Sequence, residues 1–230
     1  MDFCADDAAL LTQGKEDKEN TTKRTAVGLS VFDSPRLFRK DIFMEIILAS
    51  QSPRRRELMG FFPFPVTVRV SQADEQMDSA KAPKDEVARI SRNKAEAISR
   101  TPEDIVIGAD TIVVCDGEIL GKPKDETDAF RMLRMLSGRA HQVMTGVTVL
   151  QGEKIVSFTE ITDVYFRPLS DREIWNYIRT GDPMDKAGAY GIQCGACLFV
   201  EKIVGDYYNV VGLPVCHLGL VLKEFMEDSE

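Results

Sequence analysis

The chain has 230 residues, with 29 Lys and Arg against 37 Asp and Glu, for a formal net charge of −8. That length suits one large domain or a domain with an appendage, and 43% hydrophobic with 29% charged residues is a balance that builds a core without disulfides. The acidic excess excludes the basic surface that nucleic-acid backbones demand, and no apolar run reaches the roughly 20 residues of a membrane span, whereas a small anionic ligand needs only a local basic pocket.

Five cysteines (Cys4, Cys115, Cys194, Cys197, Cys216) are an odd number at uneven spacing, which is not a disulfide framework. Asp2, Asp6 and Asp7 stand where a signal peptide carries positive charge, and no apolar stretch follows, so a reducing, cytoplasmic setting is expected. Residues 1–43 are polar and aperiodic, and the stretch from Gly14 to Arg24 reads as disordered. The expected organisation is an N-terminal extension over 1–43 and one folded domain over 44–230, with Met44 as the functional start.

The first element is the short apolar run Glu45-Ile46-Ile47-Leu48-Ala49, read as a buried strand. Ser52 and Pro53 then provide an N-cap and a first helical residue for a helix through Met59, closed by Gly60. A strand is expected over 65–70, a polar loop over 71–80 and an amphipathic helix over 83–100. Residues 105–109 are an expected strand that 111–114 continue past Asp110, and Asp116-Gly117 is a hairpin turn. Residues 125–136 form the cleanest helical pattern, with Gly138 beyond its end. Two strands over 142–150 and 155–166 flank the turn at Gly152, and Ser170 with Glu173 makes a capping box for a helix through Ile178. A Gly-rich loop spans 182–196, then a strand over 198–204, a turn at Gly205-Asp206 and a closing helix over 214–225. Hairpins and helical crossovers together predict an α/β unit with a mixed sheet.

Four segments could carry chemistry. Ser50, Ser52, Arg54, Arg55 and Arg56 sit where a strand meets a helix N-terminus, and the hydroxyls, free N–H groups and guanidiniums there could cradle phosphate. A solvated basic helix face has the same composition. Asp110, set inside an apolar strand, is costly to bury without a task, and suits a divalent metal or water activation. Lys122, in Gly121-Lys122-Pro123, is a point charge suited to phosphate. In the loop 185–193 the glycines allow close backbone approach, and Gln193 offers a donor and an acceptor to a base edge. No P-loop or G-x-G-x-x-G is present. Cys194 and Cys197 form a C-x-x-C in a loop before a strand, a context that argues against a redox role, and one such pair cannot complete a zinc site.

In combination the segments Leu48-Ala49-Ser50-Gln51-Ser52-Pro53-Arg54-Arg55, Arg92-Asn93-Lys94-Ala95, Gly108-Ala109-Asp110-Thr111, Gly121-Lys122-Pro123, Leu136-Ser137-Gly138-Arg139 with His141, Thr145-Gly146-Val147, the stretch 185–193 and Val210-Val211-Gly212-Leu213-Pro214 resemble the Maf family of nucleoside triphosphate pyrophosphatases. The resemblance covers the chain from about Met44 and leaves the tail unmatched. It implies the fold of the inosine-triphosphate-pyrophosphatase group: an elongated mixed sheet flanked by helices, in two lobes with a central cleft. It implies hydrolysis between the α and β phosphates to a nucleoside monophosphate and pyrophosphate, with a divalent cation such as Mg²⁺ or Mn²⁺, in a homodimer. By motif position Ser50, Arg54 and Arg55 would bind phosphate, and Lys94 and Lys122 would neutralise it. Asp110 would be the catalytic carboxylate, as base or metal ligand, with Glu75 as the metal-linked acid. Thr111 and Gln193 match the branch that prefers dTTP and UTP. The competing class is a non-catalytic nucleotide-binding regulator of cell division and septum formation.

Overall fold

The computed structural model describes residues 44–78 and 80–227; the extension expected over 1–43 lies outside them. Seven strands form one mixed sheet. The strands are β1 (Ile46–Ala49), β2 (Thr67–Val68), β3 (Ile105–Cys115), β4 (Glu118–Leu120), β5 (Ala140–Gln151), β6 (Lys154–Phe166) and β7 (Val200–Val204). The helices are α1 (Pro53–Met59), α2 (Pro83–Glu96), α3 (Glu126–Leu136), α4 (Asp171–Ile178), α5 (Tyr207–Val211) and α6 (Val215–Glu227). The strand order is β2-β1-β3-β5-β6-β7, with β4 also on β3. β1 runs parallel to β2 and β3, and the remaining pairs are antiparallel. The run Ile46–Ala49 is wholly buried, as a parallel strand covered on both faces requires.

One edge of β3 is shared. Its first residues pair with β1 as far as Gly108 opposite Ala49, and its last pair with β4 from Val113 onward. Asp110 and Thr111 fall in the gap between these ladders, while the opposite edge pairs without a break to β5. As the apolar runs on both sides of Asp110 predict, β3 continues through the charge, which finds a partner on α2.

The buried apolar side chains form two large clusters. One gathers α3, α4 and the ends of β5 and β6 (Leu133, Leu136, Ile174, Phe199); the other gathers β1, α1 and α6 (Leu48, Leu58, Leu222, Phe225). Helix α2 lies on β3 and β5 at backbone contact. A Cβ on Gly108 would sit 2.1 Å from the Ser91 carbonyl oxygen, and one on Gly146 would sit 2.4 Å from that of Val87. Ser91 Oγ also meets Thr148 Oγ1 at 2.9 Å. These two glycines fix the height of α2 above the sheet.

Local signals held where the chemistry was explicit. The Ser52 side chain accepts from the Arg55 N–H, the Ser170–Glu173 capping box closes, and Asp116 and Gly117 take φ of 50° and 82°, as a type I′ hairpin needs. Gly60, in contrast, ends α1 in a right-handed conformation. β2 is only two residues long, because Pro65 precedes it and cannot donate to a ladder. α2 stops at Glu96, four residues before the expected end, and the Arg100 guanidinium donates to the Glu96 and Ile98 carbonyls released there. The Gly-rich loop is three short 3₁₀ turns (182–185, 187–189, 195–198), the last of which delays β7 to Val200. Helix α5, capped by the Asp206 carboxylate, is too short to show a period.

Candidate active site

The gap in the β3 edge opens into a cavity of about 640 Å³. Nine of the residues singled out in the sequence line it: Ser50, Arg54, Arg55, Glu75, Lys94, Asp110, Thr111, Lys122 and Gln193. Strand alternation divides the labour at its floor. Gly108 and Asp110 share the face under α2, and Lys94, one turn beyond Ser91 on that helix, reaches down to Asp110 Oδ1 at 2.7 Å. Glu75 brings Oε1 to 3.0 Å from the same Nζ. Two carboxylates thus converge on one cationic centre, with the Asp110 and Lys94 side chains only 14% and 9% exposed and Glu75 open to solvent.

Thr111 points to the other face and meets Arg55. Arg55 is buried, and three of its five N–H groups are taken by protein: Nε donates to Gly212 O at 2.8 Å, Nη2 to Thr111 Oγ1 at 2.8 Å and Nη1 to Ser50 Oγ at 3.3 Å. The remaining two are available to an anion. Burial pulls the guanidinium below its ordinary value, an effect that Asp110 and Glu75 oppose and Arg54 reinforces, and it stays a cation. The Thr111 hydroxyl lies 2.9 Å from Thr145 Oγ1, which itself donates to Asn209 O at 3.1 Å. Whether the Thr111 proton goes to Thr145 Oγ1 or to Gly212 O at 3.5 Å, a lone pair of its oxygen accepts from Arg55. The expectation of a solvated basic face on α1 therefore holds for Arg56 alone, which is exposed.

The upper walls come from two loops. Gly188 N donates to Gly121 O at 3.0 Å, tying the 3₁₀ region to the loop that carries Lys122. Lys122 and Gln193 are exposed, and neither makes a side-chain hydrogen bond or ion pair among the described residues. Arg54 reaches Asp185 Oδ2 at 3.5 Å, and Asp185 Oδ1 accepts from Lys186 at 2.7 Å.

Lys186, in the loop 185–193 but with no role assigned from the sequence, is buried and lines the cavity. Its Nζ also donates to Asp182 O and Oδ1, and its chain packs so closely under Gly191 that a Cβ there would lie 2.6 Å from Cε. The Tyr177 hydroxyl donates to Asp182 and accepts from the Gly191 N–H. Burial opposes ionisation of Asp182, but the bonds from Tyr177 and Lys186 hold its carboxyl below the ordinary value. The only advance signal of this network was the tight loop composition.

Behind the wall, His141 Nε2 and the Tyr190 hydroxyl lie 2.8 Å apart, both rings are buried, and burial holds the imidazole down to about 4. Its folded value lies below the ~6.5 of an unfolded chain. The stability that the neutral ring contributes is therefore intact above pH ~6.5 and is lost as pH falls from there toward 4. Between pH 7 and pH 5 the loss from this group is about 2 kcal/mol. Urea unfolding at both pH values should show the parent losing that much more than His141→Gln; equal losses would remove His141 as the cause.

No described group of three or more His, Cys, Asp or Glu could hold a metal unaided. Two carboxylates converging on a cation are, however, the hard donor set that a divalent ion uses together with substrate phosphates, so the residues fit such an ion. No helix among the described residues is long and apolar enough to cross a membrane.

Comparison with known proteins gives concordant relatives. A family model described as Maf-like protein matches residues 45–225. A dTTP/UTP pyrophosphatase of Bacillus velezensis is 48% identical over 181 residues, which cover 78% of this chain and 96% of that protein. One of Symbiobacterium thermophilum is 50% identical over 182 residues, covering 79% and 94%. Among solved structures, a HAM1 protein from Coxiella burnetii aligns with a TM-score of 0.43 at 11% identity, over 79% of this chain and 99% of that one. The Staphylococcus aureus Ham1 protein aligns with a TM-score of 0.37 at 18% identity, over 53% and 71%.

Proposed function

Because the chain belongs to the Maf-like protein family, we propose that it is a nucleoside triphosphate pyrophosphatase acting on dTTP and UTP, releasing a nucleoside monophosphate and pyrophosphate. The observation that carries the reading is the pairing of a carboxylate couple, Asp110 and Glu75 on Lys94, with an arginine held at the floor of the same cavity. A protein that only binds a nucleotide has no use for two acids beside a polyphosphate, which repel it, and this weighs against the regulator alternative.

Attack at the α phosphorus adds charge to an already anionic centre, so fixed cations and an oriented water are what lower the barrier. Asp110 and Glu75 would hold a divalent cation, which would supply charge neutralisation and a more acidic water. Arg55 presents its two remaining N–H groups to phosphate oxygens with its plane already set by Gly212, Thr111 and Ser50. Arg54 and Lys122 gather the departing pyrophosphate. Lys94 orients Asp110 through Oδ1, leaving Oδ2 to take a proton from the attacking water. Gln193, which lines the same cavity with an unengaged amide, reads the base edge.

The direct test is pyrophosphate release from a panel of nucleoside triphosphates with Mg²⁺ or Mn²⁺. Turnover of dTTP and UTP above purine triphosphates, abolished by a chelator and restored by the metal, is the expected result; no release from any of them would end the proposal. Gln193→Ala should cut the preference for dTTP over dATP about tenfold or more while pyrophosphate inhibition is unchanged, since one base contact is lost and the phosphate cradle is not. An unaltered nucleotide profile would dismiss Gln193 as the base reader. The reading extends to a working domain over 44–230 with residues 1–43 as an appendage, acting in the cytoplasm as a homodimer.

A further inference from the structure

Cys194 and Cys197 close the third 3₁₀ turn of the Gly-rich loop. The Cys197 N–H donates to Cys194 O at 2.9 Å, so the two residues are the ends of one four-residue turn. Ends of such a turn lie within about 7 Å of each other at Cα, inside the range a disulfide spans. Both side chains are exposed, whereas Cys115 is buried in β3 and Cys216 is exposed on α6. Only Gly195 and Ala196 separate the pair, and Gly195 sits against the Tyr177 ring, where a Cβ would come to 3.2 Å. Cys194 lines the cavity directly after Gln193, beside the Asp182 carboxylate that Lys186 and Tyr177 hold.

We propose that Cys194 and Cys197 are a thiol–disulfide modification site, oxidised by a low-molecular-weight disulfide such as glutathione disulfide, and that the bond alters nucleotide binding by displacing Cys194 from Asp182 and Gln193 with it. This is not the helix-terminal arrangement of a disulfide oxidoreductase, against which the sequence context argues, but a short reversible clamp at the substrate rim. Cys197 makes the first attack. Partial desolvation beside the loop and the Asp182 charge push the Cys194 thiol up, which keeps that sulfur protonated for longer. The Cys197 thiolate forms a bond to one glutathione sulfur, the S–S bond of the oxidant breaks, and one glutathione thiolate leaves. The Cys194 thiolate then attacks the Cys197 sulfur and expels the second glutathione. Two protein thiols become one disulfide, their two electrons reduce glutathione disulfide to two thiols, and the two protons pass to solvent and product.

The effect on binding rests on the function proposed above, but formation of the bond does not, so the two are read separately. The full chain is incubated with glutathione disulfide, its remaining thiols are alkylated, and the peptide carrying both cysteines is weighed. The expected result is a peptide lighter by two hydrogens and unalkylated, restored by dithiothreitol, and absent in Cys197→Ser. Only a mixed disulfide on that peptide, or glutathione on Cys216 alone, would overturn the site. With the bond formed, KM for dTTP should rise about tenfold with kcat nearly unchanged, the pattern of lost ground-state contact away from the reacting atoms, and reduced Cys197→Ser should keep the parent's KM under both conditions. A disulfide that leaves KM where it was would overturn the link to Gln193. If the chain hydrolyses no nucleotide at all, the mass result still decides the site.

Discussion

Asp110→Asn should lower hydrolysis of dTTP by about three orders of magnitude or more while the protein remains folded. The replacement keeps the shape of the side chain and an oxygen for Lys94, but removes the charge that receives a proton or holds a cation. Asp110 is on β3 in the gap between the β1 and β4 ladders, so no sheet hydrogen bond of the strand depends on its carboxylate. Lys94 retains Glu75 at 3.0 Å, so its ammonium is not left unpaired when the Asp110 charge goes, and the fall in unfolding temperature should be small. Pyrophosphate release and a thermal melt on the same preparation check both halves. Turnover within tenfold of the parent, with metal present, would remove Asp110 from the chemistry.

The largest effect on stability is expected at the glycine seats under α2. In Gly108→Ala or Gly146→Ala the new methyl would meet a helix backbone oxygen at 2.1 or 2.4 Å, and backbone cannot swing aside as a side chain does. The helix has to lift, at about 3 kcal/mol or more. Gly219→Ala is the control: inside α6 its nearest neighbour would be Phe62 Cε1 at 3.6 Å, and alanine favours the helix by roughly 1 kcal/mol. Urea titrations should show the first two variants losing stability and the third keeping or gaining it. A parent-like Gly108→Ala would mean that α2 is not seated on β3 as described. Because Lys94 rides on α2, Gly146→Ala should also weaken activity beyond its effect on folding.

Those seats show where the sequence was readable. Gly108 and Gly146 lie in apolar runs that look like strands whether or not a helix presses on them, and nothing in the pattern says which glycine meets a backbone. Asp110 was visible for the opposite reason: a charge inside an apolar strand is costly, so its position alone asks for a partner. The partner Lys94 came only through the family resemblance, since a lysine on an amphipathic helix is ordinary. Caps and hairpins were legible because their chemistry is local, as at Ser52, Asp116-Gly117 and Ser170. Helix α5, the 3₁₀ turns and the role of Lys186 were not, because they are set by what the Gly-rich loop packs on rather than by its own period.

The bond from Arg55 to Gly212 joins residues 157 apart in the chain. A ribosome delivers Arg55 early and Gly212 near the end, and the strand that carries Asp110 appears between them. Until Gly212 is made, the Arg55 guanidinium has no carbonyl to fix its plane. A chain released before that point holds both carboxylates and all of the arginines yet lacks the carbonyl that sets the Arg55 plane.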